Sequence, residues 1–532
     1  MDTYWRIRNV VMRVAMLWLV LGVTGCGTPE VRPKPELAAL AAKTGEIESV
    51  QLTEQSKSPP VSIEQATKEL AKGVTEPNQP RPGVKLTLEE VRAAALANNL
   101  DLKVQLISPA IAQQAVDMER AKFESVFRAS ASYGTPSSRA FEAGITTPLQ
   151  TGGTITASLP VEDEDGVSEA AASVRVVQSL LRGAGARVNT YSIQIAGYDK
   201  GAVDAFTKLQ AIYILGGADI AYWRLYAIRK QLVVSREQYK LAQNQLKHAH
   251  HKVEAGSAPK IEIVRAEAGL SSRLDAVIGA ETAVRDRERD LKRIMNREDL
   301  PLHSPVDINT VTDPDPKGLD LDQEALAQAA LANRMELAEL EYRLAIGDID
   351  IALARNNLLP LLTLEYTYIA GGQAGSTGGA FEDLFREPSQ DHRVGLSATI
   401  PLGNQAAEAR YRRARLEKVR TELSRQEQQQ QIRQEVYDAV DGLQQYWRRI
   451  LAAEQGVIAA YRDYRVEQSQ FQLGRRTSTE VLQAASRLAE EQLRRISAFA
   501  DYEITQVMLA RATGTLLGRG QVRLQPVVLE SK

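Results

Sequence analysis

The chain has 532 residues, a formal net charge of −2 and an aromatic content of only 5%. Near-neutral charge, with no basic arm and no RNA-binding aromatic motif, excludes an electrostatic case for nucleic acid. Alanine, leucine, glutamine, glutamate and arginine dominate, a composition of long helices rather than of one compact globule.

Residues 1–25 read as a signal peptide. Arg6, Arg8 and Arg13 precede an apolar run from Val14 to Val23, too short to span a bilayer and of the length of a signal core. The run ends in Val23-Thr24-Gly25-Cys26, and Cys26 is the only cysteine, so no intrachain disulfide is possible. This stretch resembles a bacterial lipobox, which implies that Cys26 is acylated and becomes the mature N-terminus. Gly27, rather than Asp, after the cysteine fits sorting to the outer membrane. The plainer readings are an ordinary signal peptide with an incidental cysteine, or a short N-terminal anchor. No later segment reaches the 18 or so apolar residues of a membrane helix, so a membrane-crossing mature chain must cross as a barrel.

Residues 26–84 are rich in Pro, Lys, Glu, Thr and Ser and read as a flexible tether, with a brief helix at Ile63 to Leu70. A first repeat is expected over 85–300. A short helix runs to Ala97, Asn98-Asn99 breaks it, and a second helix continues to about Ser125 with a kink or restart at Ser108-Pro109. From Val126 the period becomes two, and strands are expected over about 126–181. Thr151-Gly152-Gly153 marks a hairpin between Phe141–Leu149 and Thr154–Leu159, and Glu162-Asp163-Glu164-Asp165-Gly166 reads as an acidic loop. A very long helix follows over roughly 187–255, with Gly216-Gly217 as a soft point, then a glycine turn and a return helix to Met295.

Pro301 to Pro316 is rich in proline and aspartate, so 301–318 reads as a linker. A second repeat is expected over 319–514, with strands at about 360–400 separated by a glycine-rich loop from Gly371 to Gly379. Its long helix covers roughly 405–473 and its return helix reaches Ala512; 515–532 form a short tail.

The two halves repeat each other in two blocks, each without an internal gap. Ala95 to Tyr133 lies on Ala330 to Tyr368 at an offset of 235, with Ala-Leu-Ala-Asn at both starts. The hairpins match at an offset of 218, Gly256 on Gly474, Glu262 on Glu480 and Ala266 on Ala484. An amphipathic helix running into an amphipathic strand, duplicated, fixes the fold as a whole.

The stretch Phe471-Gln-Leu-Gly-Arg-Arg-Thr-Ser-Thr-Glu-Val-Leu-Gln-Ala484 resembles the periplasmic tip of the TolC family of outer-membrane export channels. Ala95 to Asn99, Ala330 to Arg334, Ser179 to Gly183 and Pro401-Leu402 extend that resemblance over about 86–514. It implies an α+β membrane protein with duplicated long antiparallel helical hairpins forming a periplasmic tunnel. It also implies outer-membrane β-barrel strands, with the barrel closed by trimerisation. Few strands per copy agree independently, because edges in lipid must be paired. The family's twelve strands need two per repeat. The first repeat here has signals for four, and the 139–160 hairpin either enlarges the barrel or covers it from outside.

Functionally the resemblance implies a passive exit duct of a tripartite efflux or type I secretion system, lipid-anchored in the bacterial outer membrane. Its partners would be two further copies, a periplasmic adaptor, an inner-membrane pump of the RND or ABC type, and outer-membrane lipid. The alternative is a periplasmic adaptor or structural coiled-coil lipoprotein that never spans the membrane. Carried over by position, the aperture and gate residues are Glu262, Phe471, Arg476, Glu480 and Gln483. The adaptor-contacting hairpin tips are Gly256, Ser257, Gly474, Arg475 and Thr477. Phe471 lacks the hydroxyl of the family's tyrosine and Gln483 removes a charge, so closure is expected to rest on Arg476 with Glu262.

No Gly-x-Ser-x-Gly, His-Glu-x-x-His or cysteine pair occurs, so no catalytic, cofactor or metal site is expected and the chain does not read as an enzyme. His248, His250 and His251 cluster near a tip without a carboxylate or thiol to complete a ligand set. Arg412, Arg413, Arg415, Lys418 and Arg420 read either as a solvated face or as a lining that biases the tunnel against cations.

Overall fold

The structure, a computed structural model, describes residues 82–134, 138–164, 166–473 and 475–519, together with 61–63, 65 and 66. The signal peptide, Cys26, most of the tether and most of the tail lie outside these residues. Residues 1–80 and 81–532 are separate units. In the first, the Ala66 amide donates to the Ser62 carbonyl at 3.0 Å, one turn of the expected brief helix.

The second unit opens with β1 (Gly83–Leu86). Thr87 then caps α1 (Leu88–Asn98): its hydroxyl accepts from the Glu90 amide while the Glu90 carboxylate accepts from the Thr87 amide. Asn99 caps α2 (Leu100–Ala121). That helix runs through Pro109 without the expected restart. The strands are β2 (Val126–Gly134), β3 (Ser138–Pro148), β4 (Gly153–Glu164) and β5 (Val167–Ser179). The stretch read as an acidic loop is a correction: Glu162, Asp163 and Glu164 are strand residues, paired with Glu169, Ser168 and Val167. After the one-turn α3 (Ala186–Asn189), α4 (Tyr191–Glu254) is continuous through Gly216-Gly217, and α5 (Ile261–Met295) returns beside it.

The 301–318 linker is not free of structure. It carries β6 (Asp307–Thr310), which pairs in parallel with β1. Glu288 of α5 is buried where it accepts from both the Ile308 amide and Arg229 of α4. Lys292 donates to the carbonyls of Ser304 and Val306. Tyr222 of α4 donates to the Leu86 carbonyl and accepts from the Thr312 amide. The small sheet is therefore clamped to the first helical hairpin by buried, hydrogen-bonded polar groups, over the core of Val91, Tyr222, Leu225, Leu291 and Met295.

In the second repeat Asp322 caps α6 (Gln323–Asn333), followed by α7 (Met335–Asn356) and β7 (Leu361–Ala374). The region read as a glycine-rich loop is also corrected. Strand β7 runs to Ala374, and α8 (Thr377–Arg386) forms, capped by Ser376. Then come β8 (Ser389–Thr399), α9 (Gln405–Gln472), α10 (Ser478–Ala512) and the terminal turn α11 (Leu516–Arg519). With 64 residues in α4 and 68 in α9, each long helix extends for about 100 Å. Helix α10 packs on both α9 and α4, and α7 bridges the same two helices.

The six long strands form one antiparallel sheet in the order β2-β3-β4-β5-β7-β8, leaving β2 and β8 as edges. The registers hold parity across the sheet, so each face is continuous. Phe127, Phe141, Ile145, Leu159, Val174, Tyr366, Val394 and Leu396 lie on one face. Arg128, Ser130, Thr156, Ser173, Arg175, Thr363, Glu365 and Arg393 lie on the other. Helix α8 rests on the apolar face, where Ala380 and Leu384 bury against Val161 and Ala170. It sits directly over Gly372, where a Cβ would come within 2.3 Å of α8 backbone.

Candidate functional site

Two helical hairpins end at neighbouring tips. The first turns at Gly256, whose φ of 69° is left-handed. The amide and hydroxyl of Ser257 both donate to the Lys252 carbonyl at 2.9 Å. The second tip repeats this turn: the Arg475 amide donates to the Gln470 carbonyl at 2.9 Å, at the same offset of 218. Gly474, the counterpart of Gly256, lies outside the described residues. Thr477 then caps α10. Its amide donates to Glu480 Oε2 at 2.7 Å while its own hydroxyl accepts from the Glu480 amide.

Glu480 thus spends one carboxylate oxygen on its own helix cap and the other on Arg476, at 2.7 Å. The Thr477 backbone bond, then Arg476, holds the Glu480 carboxyl below its ordinary value. Glu480, followed by Glu467 at 3.3 Å, pushes the Arg476 guanidinium up. Glu262 accepts from Arg265 at 2.9 Å and from the Ser478 hydroxyl at 3.3 Å. The pairing of Arg476 with Glu262 is therefore not made within the protomer; the arginine is held on its own hairpin. What joins the two tips is Ser478 with Glu262, together with the Lys252 ammonium 4.0 Å above the Phe471 ring. Lower down, Arg273 donates to Ser486, and Gln483 lines a groove between the hairpins with Arg273, Arg487 and Glu490.

Sequence reasoning missed Lys252, Glu467 and Ser478. Lys252 stands one turn before the glycine of its own hairpin, a position that suits a cation at a helix C-terminus, but its partner belongs to the other repeat. His251 lies 3.8 Å from Glu254, and no metal-holding group of three His, Cys, Asp or Glu side chains gathers among the described residues. In the basic run, Arg412 pairs with Glu408, Arg413 with Glu417 and Lys418 with Asp348. No helix among the described residues is long and apolar enough to cross a membrane.

Residues 326–515 match the family model of the outer membrane efflux proteins. That match takes in the second repeat, from within α6 to just past α10. The fold extends the likeness to the first repeat. At 16% identity, 81% of this chain covers 86% of the CmeC outer membrane channel of Campylobacter jejuni with a TM-score of 0.63. The outer membrane protein VceC of Vibrio cholerae gives 16% identity, 80% and 96% coverage and a TM-score of 0.61. The MtrE outer membrane channel of Neisseria gonorrhoeae gives 18%, 81% and 89%, and 0.59. No curated protein sequence matches the chain. The matched segment contains the second of the two hairpin tips described above.

Proposed function

We propose that the chain is one protomer of a trimeric outer-membrane channel, the passive exit duct of a tripartite efflux or type I secretion system. The observation that carries this reading is the two-faced sheet with unpaired edges, joined in one chain to helices about 100 Å long. On the edge strands the apolar face is bare: Phe127 is 67% exposed, Val394 74% and Leu396 67%. A soluble adaptor or structural coiled coil would bury that face; lipid covers it without cost. The polar face then lines water, and pairing of β8 with β2 of a second copy satisfies both edges.

The anchor at Cys26, docking of a periplasmic adaptor on Gly256, Ser257, Gly474, Arg475 and Thr477, and coupling to an RND or ABC pump complete the assembly. Light scattering of the detergent-solubilised protein is expected to give three chains per particle, and planar bilayers to show discrete conductance. A stable lipid-free monomer from a variant lacking residues 1–26 overturns both the barrel and the channel.

A further inference from the structure

We infer that the β3–β4 hairpin is part of the barrel wall, so that three protomers close an eighteen-stranded barrel whose mouth is wider and more acidic than a twelve-stranded one. This rests on the three-fold closure proposed above. The hairpin is inserted in series. Strand β3 pairs with β2 from Val126 opposite Thr146 to Gly134 opposite Ser138, and β4 pairs with β5 from Gly153 opposite Gln178 to Glu164 opposite Val167. Its near turn is fixed to the junction between strand and long helix. The Gly185 amide donates to the Thr151 carbonyl at 2.9 Å, and the Gln178 amide group donates to the same oxygen at 2.8 Å. A Cβ at Gly152 would come within 2.0 Å of the Gly183 carbonyl oxygen. A flap lying outside the wall would have neither two full ladders nor this seat.

Six strands per protomer alternate in direction, so β8 meets β2 of the next copy antiparallel and the ring closes without a mismatch. Strands about 4.8 Å apart and tilted about 40° give a backbone diameter of about 36 Å for eighteen, against about 24 Å for twelve. The hairpin also sets the charge of the lumen. On the polar face of the other four strands, Arg128, Arg175 and Arg393 balance Glu169, Glu365 and Asp391, and Arg175 pairs with Glu365 at 3.3 Å. The hairpin adds Glu142, Glu162 and Glu164 to that face and no cation. Three copies give the mouth an excess of carboxylates, which favours cations.

The test uses the full-length protein in planar bilayers, with neutral polyethylene glycols of graded size added on the outer side, so that the mouth is read independently of the tips. A variant lacking residues 135–166, with Gly134 joined to Val167 by a two-residue turn, is expected to exclude polymers about 1.5-fold smaller in radius than wild type does. Equal cut-offs from two stable trimers overturn the inference while leaving the channel intact; absence of any conductance in wild type strikes instead at the proposed function. If the shortened variant does not assemble, cysteine pairs in the full chain decide. Ser132→Cys with Ala140→Cys, registered partners, is expected to cross-link. Ser130→Cys with Ala171→Cys, at one level of the sheet but three strand spacings apart, is not, and a bond there places the hairpin outside the wall and overturns the inference. The triple variant E142Q/E162Q/E164Q is expected to keep the polymer cut-off and lower the ratio of K+ to Cl− permeability. An unchanged ratio overturns the acidic mouth.

Discussion

Asn99 and Arg334 stand at equivalent positions of the two repeats, and each reaches the last turn of the return helix of its own repeat. Asn99 Nδ2 donates to the Ile294 carbonyl at 2.9 Å, and Arg334 Nη1 donates to the Ala512 carbonyl at 3.2 Å. The acceptors are themselves equivalent, 218 residues apart. Both side chains do what a buried helix end requires, satisfying a carbonyl that the helix cannot. The arginine does it while forking onto Glu336 and meeting Glu435.

This difference predicts unequal costs. Arg334→Ala leaves Glu336 and a helix-end carbonyl without their partner at a site only 6% exposed, and is expected to cost about 2–3 kcal/mol, discounted because Glu435 is half-exposed. Asn99→Ala removes a cap and one carbonyl bond, about 1–2 kcal/mol. Thermal unfolding of the solubilised protein followed by far-ultraviolet circular dichroism ranks the two, and a larger loss for Asn99→Ala contradicts the account.

The β1–β6 clamp predicts a local effect. Glu288→Ala strands the buried Ile308 amide and takes the carboxylate from Arg229, which keeps, among the described residues, only its bond to Asn309, at a cost of about 3 kcal/mol. Amide exchange over Asp307–Thr310 is expected to quicken more than exchange at the distant tip. Uniform quickening throughout the chain would speak against a local clamp.

Cys26 is expected to carry lipid. Cells given a clickable fatty acid should label the wild-type protein and not Cys26→Ala. Because acyl chains only anchor and the proposed barrel would itself hold the protein in lipid, the variant is expected to retain partial export. Equal labelling of both proteins removes the anchor from the scheme.

The long elements were legible because their signals are long. Alternation from Val126 to Tyr133 and from Leu362 to Tyr368, and the glycines ending each long helix, sufficed to place strands and hairpins. Strands β1 and β6 were not legible. Four residues each carry no period, and the prolines around them read as linker, whereas the energy comes from Tyr222, Glu288 and Lys292 on distant helices. Helix α8 was hidden by Gly378-Gly379, poor helix formers, and exists because Ala380 and Leu384 find an apolar surface over Gly372. The acidic run at Glu162 to Glu164 reads as solvated, yet alternation sends Glu162 and Glu164 to the polar face within a strand. At the tips the right region was visible, but not the partners. Arg476 stands just before the Thr477 cap, with Glu480 in the first turn of α10 and Glu467 across its own hairpin, and it pairs with these rather than with Glu262 on the other hairpin.

The last prediction follows from that geometry. The tips of one protomer are joined by Ser478 with Glu262 and by Lys252 over Phe471, while Arg476 and Glu480 stiffen the second tip. Each contact is near the surface and individually weak, but three copies around the proposed axis would multiply the effect into a barrier that a docked adaptor could overcome. Phe471→Ala and Arg476→Ser are each expected to raise basal conductance in planar bilayers, and Glu480→Ala to weaken cation preference as well. The pH dependence has a definite sign. Glu480 titrates below its ordinary value in the folded protein, so its contribution is complete above that ordinary value and lost as pH falls through the lowered one. Conductance should therefore be flat from neutral pH down to the ordinary carboxylate range and rise only below it. In Glu480→Gln, which cannot ionise, that acid-induced rise should disappear. A rise that persists in Glu480→Gln, or unchanged traces in both Phe471→Ala and Arg476→Ser, would reduce the paired tips to scaffold.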